Sequence, residues 1–127
     1  MLVGVSAIIL DDRGRVLVLD HTYRPRYSWG MPGGYLNRHE RPEQGLRREV
    51  REETGLEVEV GALLGSNMYS PGQLDLAFRC HVVGGSLTLG PEARRAEYRE
   101  LSALGEILPN QQALLAKFAL SGADQRP

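Results

Sequence analysis

Pro42-Glu43-Gln44-Gly45-Leu46-Arg47-Arg48-Glu49-Val50-Arg51-Glu52-Glu53-Thr54 reads as the clearest helix in the chain, with Gly55 placed to stop it. Proline is tolerated in a first helical turn, Glu43 suits the positive helix end, and glycine suits the C-terminal cap. At about 100° per residue, Glu49, Glu52 and Glu53 share one arc of the surface. Leu46 and Val50 lie beside that arc and form the stripe that faces a core. Three carboxylates at this spacing repel, and partial burial would sharpen the conflict or raise a pKa. A bound divalent cation removes it, and oxygen-only ligands fit Mg²⁺ or Mn²⁺. Gly45, one turn ahead of Glu49, is expected to leave the approach to that face open. The ordinary alternative is a solvated face balanced by Arg47, Arg48 and Arg51.

Working outward, Trp29 to Gly34 contains Pro32, Gly33 and Gly34 and cannot be a helix interior. Val3 to Leu10 is apolar and rich in β-branched residues, as in a buried strand. The turn Asp11-Asp12-Arg13-Gly14 leads to Arg15–Asp20, expected to close a hairpin with that strand. Leu56 to Ser66 and Leu74 to Val83 read as strands. Gly84-Gly85 is expected to turn the second of these into Ser86 to Leu89. Ala96 to Leu101 reads as a short strand, Asn110 to Leu120 as a second helix, and Ser121 to Pro127 as a frayed tail. These elements predict an α/β sandwich around a mixed sheet.

The 127 residues fit one domain, 1–127. A formal net charge of −1 gives no basic field, so a nucleic-acid partner is not expected. Cys80 is the only cysteine, which excludes an intrachain disulfide and fits a reducing, cytoplasmic compartment. The apolar stretch Leu2 to Leu10 is too short to span a membrane and is expected to be a strand, not a signal.

From Gly34 the chain runs five residues to Glu40, seven more to Arg48-Glu49-Val50, then Arg51, Glu52-Glu53, Thr54, Gly55 and Leu56. This resembles the Nudix box, G-x5-E-x7-R-E-U-x-E-E-x-G-U with U aliphatic, at all nine specified positions over 23 residues. Trp29-Gly30-Met31-Pro32-Gly33 resembles the usual lead-in. The resemblance implies a Nudix-like α/β/α sandwich and a hydrolase that cleaves a phosphoanhydride bond. It implies that Glu49, Glu52 and Glu53, with the Gly33 carbonyl, hold Mg²⁺ or Mn²⁺. Glu49 would also orient or deprotonate water, and Glu40 and Arg48 would brace the loop. All box carboxylates are present, which argues against a silent nucleotide sensor.

Many members of the family use a further glutamate downstream as ligand or base. Glu97, in Glu97-Tyr98-Arg99, is the choice here, with Glu92 and Glu100 as competitors. Arg24 and Arg26, between Tyr23 and Tyr27, suit phosphate and a stacked base. A plain solvent loop is the alternative. Tyr69 precedes Ser70-Pro71-Gly72, near where ADP-ribose hydrolases of the family carry a proline. Asn110 is expected either to cap the last helix or, as in members cleaving 8-oxo-dGTP, to read a base. The expected substrate is a nucleoside diphosphate linked to another moiety, ADP-ribose or a nucleotide sugar. A (d)NTP such as 8-oxo-dGTP is the main alternative. Many relatives dimerise, so a homodimer stays open.

Overall fold

The structure, a computed structural model, describes residues 1–121, less the side chains of residues 69 and 119–121. Of the frayed tail expected over Ser121 to Pro127, Ser121 belongs to the last helix, and residues 122–127 lie outside the described residues. Strand β1 (Leu2–Ile9) is the spine of the fold. Neighbours occupy both its edges, and its inner residues are buried. It pairs antiparallel with β4 (Gly33–Tyr35) and parallel with β6 (Gln73–Gly85). β5 (Leu56–Ser70) adds antiparallel to β6, which gives a mixed sheet in the order β4-β1-β6-β5. A second, antiparallel sheet runs β3-β2-β7, built from Trp29–Gly30, Val16–His21 and Ala93–Arg99.

The alternation of β1 sends its side chains two ways. Val5, Ala7 and Ile9 pack with Leu46 and Val50 of helix α1 (Pro42–Thr54). Ile8 packs instead with Leu114, Leu115 and Phe118 of helix α2 (Pro109–Ser121). The two helices therefore cover opposite faces, and the expected α/β/α sandwich forms with two sheets in its middle. Leu46 and Val50 are fully buried, each contributing roughly 1.5–3 kcal/mol of apolar transfer. α1 ends where Gly55 turns left-handed at φ 73° and donates its N–H to the Arg51 carbonyl, 2.9 Å. No helix among the described residues is long and apolar enough to cross a membrane.

Three expectations need correction. β1 and β2 do not form a hairpin ladder: they join different sheets and meet only at the bridge between Leu10 and Val16. Both edges of β1 are already taken, so β2 cannot pair along it. Gly84-Gly85 does not turn the chain into another strand. These residues close the β5–β6 ladder opposite Glu57 and Leu56, and Ser86 to Leu89 then leaves the sheet. β5 also runs beyond Ser66 to Ser70, because its reversal into β6 waits for Pro71-Gly72, where Gly72 takes φ 82°. Trp29 to Gly34, read as non-helical, holds the short strands β3 and β4.

Candidate active site

The site forms where β4 lies under α1. Gly33 sits so close to β1 that a Cβ there would run into the Val5 carbonyl oxygen. A Cβ on Gly34 would lie 2.6 Å from Glu49 Cδ. Gly33 thus lets β4 press against β1, and Gly34 lets the Glu49 carboxylate rest directly on the strand. The Gly33 N–H donates to Glu53 Oε1 at 2.8 Å. Glu53 is only 2 % exposed, and its Oε2 is buried without a hydrogen-bond partner. Fully buried His21 faces it, Nε2 to Oε2 at 3.4 Å, and that nitrogen also lacks a partner.

Arg48 organises the outer carboxylates. Its Nε and Nη2 donate to Glu40 Oε2 and Oε1 at 2.8 and 2.9 Å. Its Nη1 reaches Glu49 Oε1 at 2.9 Å and Glu52 Oε2 at 3.3 Å. The guanidinium and the Asn37 N–H hold the Glu40 carboxyl down at about 2. Glu49 is pushed the other way. Burial raises its pKa, Arg48 opposes this, and the charges of Glu53 and Glu52 add to the rise. Glu52 points outward, with 58 % of its side chain exposed. Gly45 does not open the carboxylate face as expected. A Cβ on it would meet Leu36 and, at 2.9 Å, Glu40 Oε1, so its role is to admit the bracing loop.

A cavity of about 720 Å³ opens beside these groups. Gly33, Gly34 and Glu49 line it, and so do Arg24, Arg26 and Asn110. The structure thus brings Gly33, Gly34 and Glu49 and three of the expected substrate residues to one space. Tyr69 falls on β5, and its side chain lies outside the described residues. Glu97 is not brought there. It faces Val18 in the β2–β7 ladder and is tied to Arg99 Nε at 2.9 Å. Glu92 lines the cavity in its place, because it precedes β7 where the chain returns past the box. Nor is Asn110 a helix cap. α2 begins one residue earlier, at Pro109, and the Asn110 amide donates instead to Asp75 Oδ2 at 3.0 Å. Asp75 and Gln111 were not legible as site residues. Asp75 stands alone inside an apolar strand run, which is its only signal.

The donor set suits a hard divalent cation in its chemistry. It is all oxygen, one buried oxygen has no hydrogen-bond partner, and the half-buried Glu49 has its charge disfavoured. Among the described residues, no three His, Cys, Asp or Glu side chains already converge on a single point, since Arg48 draws Glu49 and Glu52 to itself.

Comparison with known proteins agrees with this geometry. The NUDIX domain family model matches residues 1–122. A MutT-like protein of Streptomyces ambofaciens is 33% identical over 122 residues, covering 95% of this chain and 78% of that protein. An ADP-ribose pyrophosphatase of Methanocaldococcus jannaschii is 30% identical over 124 residues, covering 91% and 72%. The crystal structure of a NUDIX hydrolase from Nitrosomonas europaea superposes with a TM-score of 0.84 at 21% identity, covering 99% of this chain and 74% of that one. With its complete box laid out on β4 and α1, the chain belongs to the Nudix family, as a hydrolase acting on phosphorus-containing anhydrides.

Proposed function

We propose that this hydrolase cleaves the phosphoanhydride bond of a nucleoside diphosphate linked to another moiety, ADP-ribose or a nucleotide sugar. The observation that carries the reading is the shared cavity, which joins Glu49 and the Gly33-Gly34 strand to Arg24, Arg26 and Asn110. A diphosphate needs carboxylate-held cations on one side and arginine on another, while the nucleoside needs a deeper pocket. The relative from Methanocaldococcus jannaschii carries the matching name. Cleavage of a (d)NTP is the second reading, favoured by Asn110 lining the cavity.

Nudix hydrolases generally use divalent metal ions, and Mg²⁺ or Mn²⁺ is the proposed choice. Glu49, Glu52 and Glu53, with the Gly33 carbonyl, would hold it. Bound there, the cation neutralises the diphosphate and lowers the pKa of water. The chain's own residues do the rest. Gly33 N–H fixes the Glu53 carboxylate through Oε1 and leaves Oε2 unsatisfied. Glu49, which lines the cavity, can take a proton from attacking water at a carboxylate oxygen. Glu92, on the cavity wall, is the second candidate for that proton. Arg24 and Arg26 can pair with phosphate oxygens and orient the chain of phosphates. The same proposal takes residues 1–127 as one cytoplasmic domain, open to pairing with a second copy.

Release of nucleoside monophosphate from ADP-ribose, nucleotide sugars and 8-oxo-dGTP, with Mg²⁺ and then with EDTA, tests the reading. Glu53→Gln should lower kcat about a hundredfold or more and weaken Mn²⁺ binding by electron paramagnetic resonance. Release that survives EDTA, or normal turnover and Mn²⁺ binding in Glu53→Gln, would overturn it.

A further inference from the structure

Asp75 is a buried carboxylate, 8 % exposed, with no cation paired to it among the described residues. Its place follows from strand register. Asp75 on β6 lies opposite Gly4 on β1, and Gly4 lies opposite Tyr35 on β4. Residues opposed in neighbouring strands point to one face. Gly4 has no side chain, and a Cβ there would sit 2.5 Å from Asp75 Oδ1 and 3.8 Å from Tyr35 Cε1. The glycine therefore leaves a gap in the cavity floor, with a carboxylate on one side and an aromatic ring on the other. All three residues line the same cavity as Glu49.

The polar groups around this gap are sorted by donor and acceptor. Gln73 Nε2 donates to Asp75 Oδ1 at 3.3 Å, and Asn110 Nδ2 donates to Oδ2 at 3.0 Å. An ionised carboxylate only accepts, so it fixes which end of the Asn110 amide faces it. The other end, Asn110 Oδ1, is buried and has no partner. A carboxylate has about four acceptor positions, so Asp75 keeps spare ones. This end of the cavity thus offers acceptors, and a ligand must bring donors to it.

We propose that Asp75, supported by Asn110, selects the nucleobase, and that the base presents a ring N–H beside an exocyclic amino group, the edge of guanine. The inference rests on the reading of the cavity as a nucleotide site, and within that reading it favours a guanine nucleotide, a GDP-linked moiety or a guanine triphosphate, over ADP-ribose. Guanine brings adjacent N1–H and N2 amino donors to the carboxylate. Adenine brings one amino group flanked by ring nitrogens that only accept, and these would face acceptors. Hypoxanthine keeps N1–H and lacks the amino group, so it falls between them. Leaving a buried acceptor unpaired is where discrimination of this kind arises.

The test is calorimetric titration, without divalent metal, of the 5′-monophosphates of guanosine, inosine, adenosine and 2′-deoxyguanosine. Guanosine should bind about fivefold or more tighter than inosine and at least about thirtyfold tighter than adenosine, with the deoxy form matching guanosine. Asp75→Asn should bring guanosine and adenosine within about threefold of each other. If that variant does not fold, the ladder on the unaltered protein decides alone. Equal binding of the three bases, alongside metal-dependent cleavage of ADP-ribose, a nucleotide sugar or 8-oxo-dGTP, overturns this inference and leaves the parent reading standing. Base indifference with a weakened deoxy form assigns Asp75 to the ribose diol and also overturns it. No binding and no release removes both readings.

Discussion

Glu40 grips Arg48 through two parallel contacts, Oε2 to Nε at 2.8 Å and Oε1 to Nη2 at 2.9 Å. The pair fastens the loop after β4 to the middle of α1, eight residues on. From the same guanidinium, Nη1 reaches Glu49 and Glu52. Arg48 is therefore a hub, and its own pKa is raised chiefly by the hydrogen bond to Glu40.

The pair makes stability depend on pH in a defined window. Arg48 and the Asn37 N–H depress Glu40 from an ordinary 4.5 to about 2 in the folded state. A depressed carboxyl contributes stability above its unfolded value and loses it as pH falls through the folded one. Chemical unfolding followed from pH 6 to pH 2 should show this loss between about 4.5 and about 2. Glu40→Gln should be less stable at pH 6 and should lose less across that window. Parallel pH profiles for the two proteins would refute the assignment.

Glu92 and Glu97 separate cleanly by position. Glu92→Gln should lower kcat by about a hundredfold if it moves a proton in the reaction. Glu97→Gln should stay within about twofold of the unaltered enzyme, since surface changes away from the site seldom reach it. Steady-state monophosphate release by both variants decides, and the reverse order would return the role to Glu97.

Gly33→Ala should destabilise the fold, because the added carbon meets the Val5 carbonyl oxygen. Such overpacking costs about 1–3 kcal/mol. Urea unfolding measures it, and an unchanged midpoint would mean that β1 and β4 can separate without cost.

Much of this was written in the local sequence. Pro42, Gly55 and the Leu46/Val50 stripe marked α1 to the residue, since its ends and its face are local properties. The spacing of Glu40 and Arg48 likewise announced their contact. What could not be seen was long-range. Whether the strand after Asp11–Gly14 pairs back on β1 depends on whether β4 and β6 have already taken its edges, and no local signal reports that. For the same reason Glu97 looked better placed than Glu92, and Asp75 looked like a lone polar residue in a strand. Its meaning came from Gly4 and Asn110, which the fold sets beside it.

The parallel pairing of β1 with β6 also governs how the molecule assembles. Leu2 finds Gln73, and Ile9 finds Cys80, only after the box helix and all of β5 have left the ribosome. Until then β1 has an open edge and its apolar residues have no second neighbour. Closing so long a loop is a slow step, since its entropy is lost before any contact forms. The glycines of β4 on which Glu49 and Glu53 rest hang on that same strand, so activity should emerge late in folding, with the arrival of β6.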